Sequence, residues 1–122
     1  MDPRRIFGNT GEELAATFLQ SKGLRVLHSQ YTTRYGEIDL ICQDGDEVVF
    51  VEVKSRATTT YGYPEEAITN KKIGHILRVA HEYLGKNQYE GAWRIDVVAI
   101  EFHLEPPRIV HLENIDIPET FW

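Results

Sequence analysis

The spacing of apolar residues divides the chain into short runs of two kinds. Leu14, Ala15, Phe18 and Leu19 recur at helical intervals behind Glu12 and Glu13, with Asn9 or Thr10 placed to cap and Gly23 placed to stop, so a helix is predicted over about 10–22. Leu24 to Tyr31 reads as a strand, and after a polar turn from Thr32 to Gly36 the run Glu37-Ile38-Asp39-Leu40-Ile41-Cys42 reads as a second. Asp44-Gly45-Asp46 is a hairpin signal. It leads into Val48-Val49-Phe50-Val51-Glu52-Val53-Lys54, the clearest strand in the chain. Ser55 to Pro64, rich in Thr, Tyr and Gly, reads as a loop. Ile73, Ile76, Leu77, Ala80 and Leu84 then predict a second helix, starting near 65 or 70 and ending at Gly85. Trp93 to Phe102 is another strand, Pro106-Pro107 breaks it, and Arg108 to Leu112 returns as its hairpin partner.

The order is α-β-β-β-α-β with an extra C-terminal strand. It favours an α/β domain in which a mixed sheet is flanked by helices and the second helix crosses over between the third and fourth strands. Without repeats or a long linker, residues 1–122 are expected to form a single domain, with a core over about 8–114 and a tail at 115–122.

A chain of 122 residues, 42% hydrophobic and 26% charged, has the length and composition of one globular domain. That excludes a large multidomain enzyme. No apolar run approaches the roughly 20 residues that span a bilayer, and the start MDPRRIFGNTGEELAA lacks the apolar stretch of a secretory signal. A cytoplasmic protein without a membrane partner is expected. The single cysteine, Cys42, excludes an internal disulfide and a four-thiolate zinc site, and strand alternation puts it in the core. The five histidines lack zinc-ligand spacing, and neither a phosphate-cradling glycine loop nor a nucleophile elbow occurs.

The formal charge of -6 argues at first against a polyanionic partner. Its distribution changes that reading: residues 95–122 carry six acids against Arg108, whereas 54–94 carry seven bases against four acids. A modest basic surface beside an acidic site fits this pattern.

The acidic site is predicted where the hairpin strands meet. Alternation places Glu37, Asp39 and Ile41 on one face of their strand, and Phe50, Glu52 and Lys54 together on the next. A four-residue loop at 44–47 sets 43 opposite 48 and Asp39 opposite Glu52; a two-residue loop at 44 and 45 leaves them diagonal. Adjacent carboxylates in an apolar sheet are costly without a cation, which points to Mg²⁺ or Mn²⁺ held by Asp39, Glu52 and the carbonyl of Val53. Lys54 lies within reach of a water or phosphoryl oxygen near that metal. Such a set suits hydrolysis of a phosphodiester. Glu12, at the rim of the first helix's core stripe, is placed to add a third carboxylate, and Glu37 is either a rim residue of the site or a surface acid.

Gly36-Glu37-Ile38-Asp39-Leu40-Ile41 followed by Val51-Glu52-Val53-Lys54, behind a helix bearing Gly11-Glu12 with Ala15 and Leu19, resembles the YraN family of bacterial proteins. The likeness runs from about Gly8 to Asn114 and takes in Arg94-Ile95-Asp96-Val97-Val98. That family is similar to the PD-(D/E)xK nuclease-like group of restriction endonucleases and Holliday-junction resolvases. The resemblance implies a restriction endonuclease-like αβββαβ core, Asp39 and Glu52 as metal ligands, Lys54 as the catalytic lysine and Glu12 as the helix-borne acid. It also implies action on DNA, including branched or damaged DNA, and a homodimer, because two duplex strands need two cuts. Two departures stand out: Ile38 occupies a position where many nucleases have proline, and Gln30 and Thr32 occupy positions where related proteins often have Asn and Arg. The alternative function is a non-catalytic module that keeps the nuclease fold and binds nucleic acid or a DNA-processing partner.

Arg34, Arg56, Lys71 and Lys72 are the candidate phosphate contacts, although a solvated helix face equally explains the two lysines. Tyr61 and Tyr63, with Arg56, are placed either to stack on bases or to pack. Asp96 is expected to have a structural partner near Arg94.

Overall fold

Thr10 opens the first helix, α1 (Thr10–Ser21), in a computed structural model that describes residues 10–57 and 68–122. The chain continues through β1 (Arg25–Thr33), β2 (Gly36–Asp44), β3 (Glu47–Arg56), α2 (Asn70–Lys86), β4 (Trp93–Glu101), β5 (Arg108–Leu112) and a short 3-10 turn at Glu119–Phe121. The strands form one sheet in the order β1-β2-β3-β4-β5. Neighbours are antiparallel except β3 and β4, which α2 connects as a parallel pair. This is the mixed α/β sheet that the element order predicts.

The helices cover opposite faces. Ala15, Ala16 and Leu19 of α1 pack with Leu40, Cys42, Val49, Val51, Val98 and Ile100. Ile73, Ile76, Leu77, Ala80 and Leu84 of α2 pack with Ile38, Ile41, Val48, Phe50 and Ile95. Central β3 is therefore buried on both faces, which is why it reads as an unbroken apolar run.

Gln43 pairs with Val48 and Asp44 with Glu47, leaving Gly45 and Asp46 as a two-residue loop. Gly45 takes a φ of +60°, as such a turn requires. The 43-to-48 register thus forms with a loop shorter than four residues. The alternation expected along β2 is corrected: Ile38 and Ile41 both enter the α2-side core, while Leu40 and Cys42 enter the α1-side core. The pleat loses its phase between Ile38 and Leu40. Across from this point, between the pairs Ser29↔Leu40 and Tyr31↔Ile38, Gln30 sits in the left-handed region at φ +49°. A residue in that conformation interrupts regular pleating.

Other boundaries move by a few residues. β3 runs on to Arg56, so Ser55 and Arg56 belong to the strand and not to the loop. Tyr61 and Tyr63 lie outside the described residues. Thr69 caps α2 by accepting a hydrogen bond from the Lys72 amide at 3.1 Å, and Asn87 closes its far end. The stretch 115–122 lies against the body: the Ile115 amide donates to the Ile95 carbonyl at 2.8 Å, Ile115 and Ile117 cover the α2-side core, and the Phe121 ring meets Gly74. Among the described residues no helix is long and apolar enough to cross a membrane.

Candidate functional site

The β2–β3 ladder stops at Leu40↔Val51, whereas β3 stays paired with β4 as far as Arg56↔Glu101. The strands part just where Asp39 begins. Its carboxylate takes over from the ladder, Oδ2 accepting from the Val53 amide at 2.8 Å. The first turn of α1 covers this gap and points Glu12 into it, 2% exposed. Carboxylate oxygens of Glu12, Glu37 and Asp39 lie within 4.8 Å of one another. Glu12 and Asp39 line a pocket of about 440 Å³ that Thr10, Gly11, Val53, Ser55 and Phe102 complete.

On β3, Glu52 alternates with Val53 toward α2 and is 3% exposed. Its Oε1 lies 3.4 Å from Lys54 Nζ and 3.3 Å from Lys72 Nζ. Its Oε2 is buried with no hydrogen-bond partner among the described residues. Two ammonium groups on one oxygen and none on the other leave an acceptor available to a cation.

The electrostatics carry the mark of crowded like charge. Burial, then Asp39, Glu37 and Glu52, push the Glu12 carboxyl up to about 8, against a lesser pull from a hydrogen bond with Gln30. Burial and then Glu52 raise Asp39 to about 7, although the Val53 amide and Lys72 oppose the rise. Such groups hold protons near neutrality.

The predicted residues therefore arrive in two linked sets. Glu12 and Asp39 meet in the carboxylate group, joined by Glu37, which is thereby a residue of the site while still exposed. Glu52 and Lys54 pair with each other on the α2 side, and Glu52 is coupled to Asp39 through charge. Val53 lines the pocket and binds Asp39 through its amide. Lys71 is exposed at the start of α2. Lys72 is no bystander on a solvated face: the Thr69 cap sets it in the first turn, from which it reaches Glu52. Arg56 pairs in the ladder with Glu101, and its Nε is buried without a hydrogen-bond partner among the described residues. Arg34 lies at the β1–β2 turn, its guanidinium against Tyr35. Gln30, marked in the sequence only as a departure from related proteins, bonds Glu12 from a left-handed conformation that no residue pattern announces. Cys42 is buried, its thiol pushed up to about 12 by burial and then by Asp96, so it is an inert core residue.

Asp96 has the expected structural role. Arg94 donates to it from Nε at 2.9 Å and from Nη2 at 3.2 Å. His111 adds a bond at 2.7 Å and the Asn114 amide another at 2.9 Å.

Comparison with known proteins gives a consistent result. Residues 11–100 match the Uncharacterised protein family UPF0102. A UPF0102 protein of Syntrophomonas wolfei is 43% identical over 111 residues, covering 90% of this chain and 96% of the relative. One from Pelotomaculum thermopropionicum is 40% identical over 116 residues, covering 93% and 97%, and one from Alkaliphilus oremlandii is 43% identical over 110 residues, covering 88% and 94%. The matched span holds Glu12, Asp39, Glu52 and Lys54 alike, and the chain belongs to the UPF0102 family, the YraN family.

Proposed function

We propose that the protein is a metal-dependent nuclease that hydrolyses DNA phosphodiester bonds. The observation that carries this reading is the convergence of Glu12, Glu37 and Asp39 within 4.8 Å, with Glu12 and Asp39 lining a pocket and Asp39 coupled by charge to the Glu52 of the Glu52–Lys54 pair. The residues fit a Mg²⁺ or Mn²⁺ ion. Oxygen donors predominate, the buried Oε2 of Glu52 lacks a partner among the described residues, and Glu12 and Asp39 are strained by mutual repulsion that a cation relieves. Asp39, Glu12 and Glu52 would hold the ion. The Val53 carbonyl is a further candidate, because the N–H and C=O of one strand residue point to the same edge, and its N–H already faces Asp39.

A bound divalent ion supplies a polarised phosphate and a more acidic water. The chain's own groups do the remainder. Lys54 provides an ammonium on the same face as Glu52, able to steady negative charge on a phosphoryl oxygen or to orient water. Lys72 offsets the charge of Glu52 and lowers the proton affinity of Asp39. Glu37, exposed and hydrogen-bonded by the Thr32 hydroxyl at 3.2 Å, closes the solvent side.

The test is digestion of linear, nicked, flapped and four-way DNA with Mg²⁺, Mn²⁺ or EDTA, combined with calorimetric Mn²⁺ titration. Lys54→Ala abolishes scission and keeps Mn²⁺ uptake, whereas Asp39→Asn weakens the uptake itself. Undiminished cutting by Lys54→Ala rejects the assignment. DNA binding without metal-dependent scission by the wild type favours a non-catalytic module instead.

A further inference from the structure

A second concavity, about 710 Å³, lies where the β1–β2 turn leans against α2. Arg34 and Tyr35 line it from the turn, and Arg78, His81 and Glu82 line it from the helix. The turn is seated closely: Gly36 has a φ of +136°, and a Cβ there would stand 3.9 Å from Val79. Side chains rarely adopt that backbone conformation, so glycine fixes how the turn meets the helix. Tyr35 remains 42% exposed. The Arg34 guanidinium lies 4.9 Å from its ring centroid and donates to its hydroxyl at 2.7 Å.

These groups match the parts of a nucleotide. The guanidinium groups of Arg34 and Arg78 suit phosphate oxygens, and an exposed ring with a guanidinium beside it suits the flat face of a base. Glu82 has a buried Oε2 with no hydrogen-bond partner among the described residues, an acceptor that the N–H edge of a base would satisfy. Paired and stacked bases expose neither face, so the ligand is an unpaired strand and not a duplex.

The groove is also at a meaningful distance from the acidic site. Arg78 follows Lys72 by six residues of α2, about 9 Å at the helical rise. Gly36, next to Tyr35, precedes Asp39 by three residues of β2, about 10 Å at the strand rise. Intervals of that size are bridged by a few nucleotides of strand. Exposed Lys71 and His75 lie on one side of α2 with Arg78, bridging the interval.

We infer that this groove binds an unpaired nucleic-acid strand continuous with the phosphodiester at the acidic site, with phosphates on Arg34 and Arg78 and a base on Tyr35. The inference rests on the hydrolytic reading for the place of the scissile bond, and on the groove alone for binding. Fluorescence anisotropy of the full chain in EDTA, with a labelled oligothymidylate of about 12 nucleotides and the matching duplex, tests it. Tyr35→Ala is expected to weaken single-strand binding about tenfold, with Tyr35→Phe at the wild-type affinity. Arg34→Ala combined with Arg78→Ala is expected to reduce the slope of log affinity against log salt by about 1.4, and to change duplex binding less. Tyr35 and both arginines are solvent-facing, and circular dichroism melts matching the wild type verify folded variants. Equal single-strand affinities for wild type and all variants overturn the inference, as does a wild type that binds only duplex or no nucleic acid. Failure of the hydrolytic reading looks different: the groove variants lose affinity as expected, but the wild type shows no metal-dependent scission.

Discussion

Asp96 and Glu12 are buried alike, 0% and 2% exposed, and stand in opposite electrostatic situations. Asp96 accepts from both sides of its carboxylate: Arg94 and the Asn114 amide meet Oδ1, and Arg94 and His111 meet Oδ2. Burial alone would push its carboxyl up, yet His111, Arg94 and the Asn114 amide outweigh it and hold Asp96 below the usual range. Arg94 is shared further with Glu47 at 2.6 Å and Asp44 at 3.1 Å. Lys22 Nζ donates to His111 Nδ1 at 2.7 Å, which leaves the other ring nitrogen as donor to Asp96. Glu12, by contrast, faces Asp39, Glu37 and Glu52, and its proton affinity rises. Equal burial therefore does not mark a site. A compensated buried charge pins strands together, whereas crowded carboxylates raise one another's proton affinity.

The strongest way to break this contrast is to remove the compensation. Arg94→Ala leaves Asp96 ionised and stripped of its main partner in the core and is expected to cost about 3–5 kcal/mol in urea denaturation. A loss below about 1 kcal/mol would mean that Asp96 is less dependent on its partners than its geometry implies. At the other cluster a cation should have the reverse effect: Mn²⁺ at about a hundredfold over its dissociation constant stabilises the fold by about 2.7 kcal/mol. Thermal melts with and without Mn²⁺ measure this, and Asp39→Asn should erase it.

A subtler test uses pH. Glu12 and Asp39 bind protons more tightly when folded, at about 8 and about 7, than at their ordinary 4.5 and 3.8. Their contribution is fully present below the ordinary values and is lost as pH rises through 7 to 8. Asp96 works in the opposite sense, since its lowered carboxyl stabilises above 3.8 and loses that contribution only as pH falls through the folded value. Metal-free protein should therefore lose stability between pH 5 and pH 8. Glu12→Gln, neutral throughout, should flatten the decline and gain about 1 kcal/mol at the alkaline end. A decline unchanged in Glu12→Gln would assign the slope to other groups.

These contrasts also show which features a sequence exposes. β3 declared itself because Val48 and Phe50 serve one helix and Val49 and Val51 the other, and Gly45 fixed the hairpin register that brings Asp39 to the level of Glu52. Glu52 and Lys54 were legible from the alternation of β3 and Glu12 from the helical period, whereas Asp39 was legible by its level in the hairpin and not by its face, because the pleat breaks beside it. What stayed hidden depends on docking. Lys72 meets Glu52 only because of how α2 lies on the sheet, and His111 meets Asp96 only because β5 pairs Val98 with His111. Ile115, Ile117 and Phe121 did carry an apolar signal in the expected tail, but nothing local says which face they cover. The phase shift along β2 was illegible, because it accompanies Gln30 in a conformation that its side chain does not favour.

Gln30 gives the smallest and most discriminating prediction. Its φ of +49° is costly for glutamine, while its side chain holds Glu12 through a hydrogen bond. Asparagine keeps the amide and tolerates the left-handed region far better. If backbone strain outweighs that hydrogen bond, Gln30→Asn stabilises the fold by about 0.5 kcal/mol in urea denaturation. If the amide's reach to Glu12 matters more, the shorter side chain loses that bond, Glu12 holds its proton more tightly still, and the decline from pH 5 to pH 8 becomes steeper. The first outcome makes the break in the pleat a feature that the core imposes on the site. The second makes it a feature held in place by the acidic cluster, so that a bound cation should relax the strand pairing around Ser29 and Tyr31, measurable as faster amide exchange there.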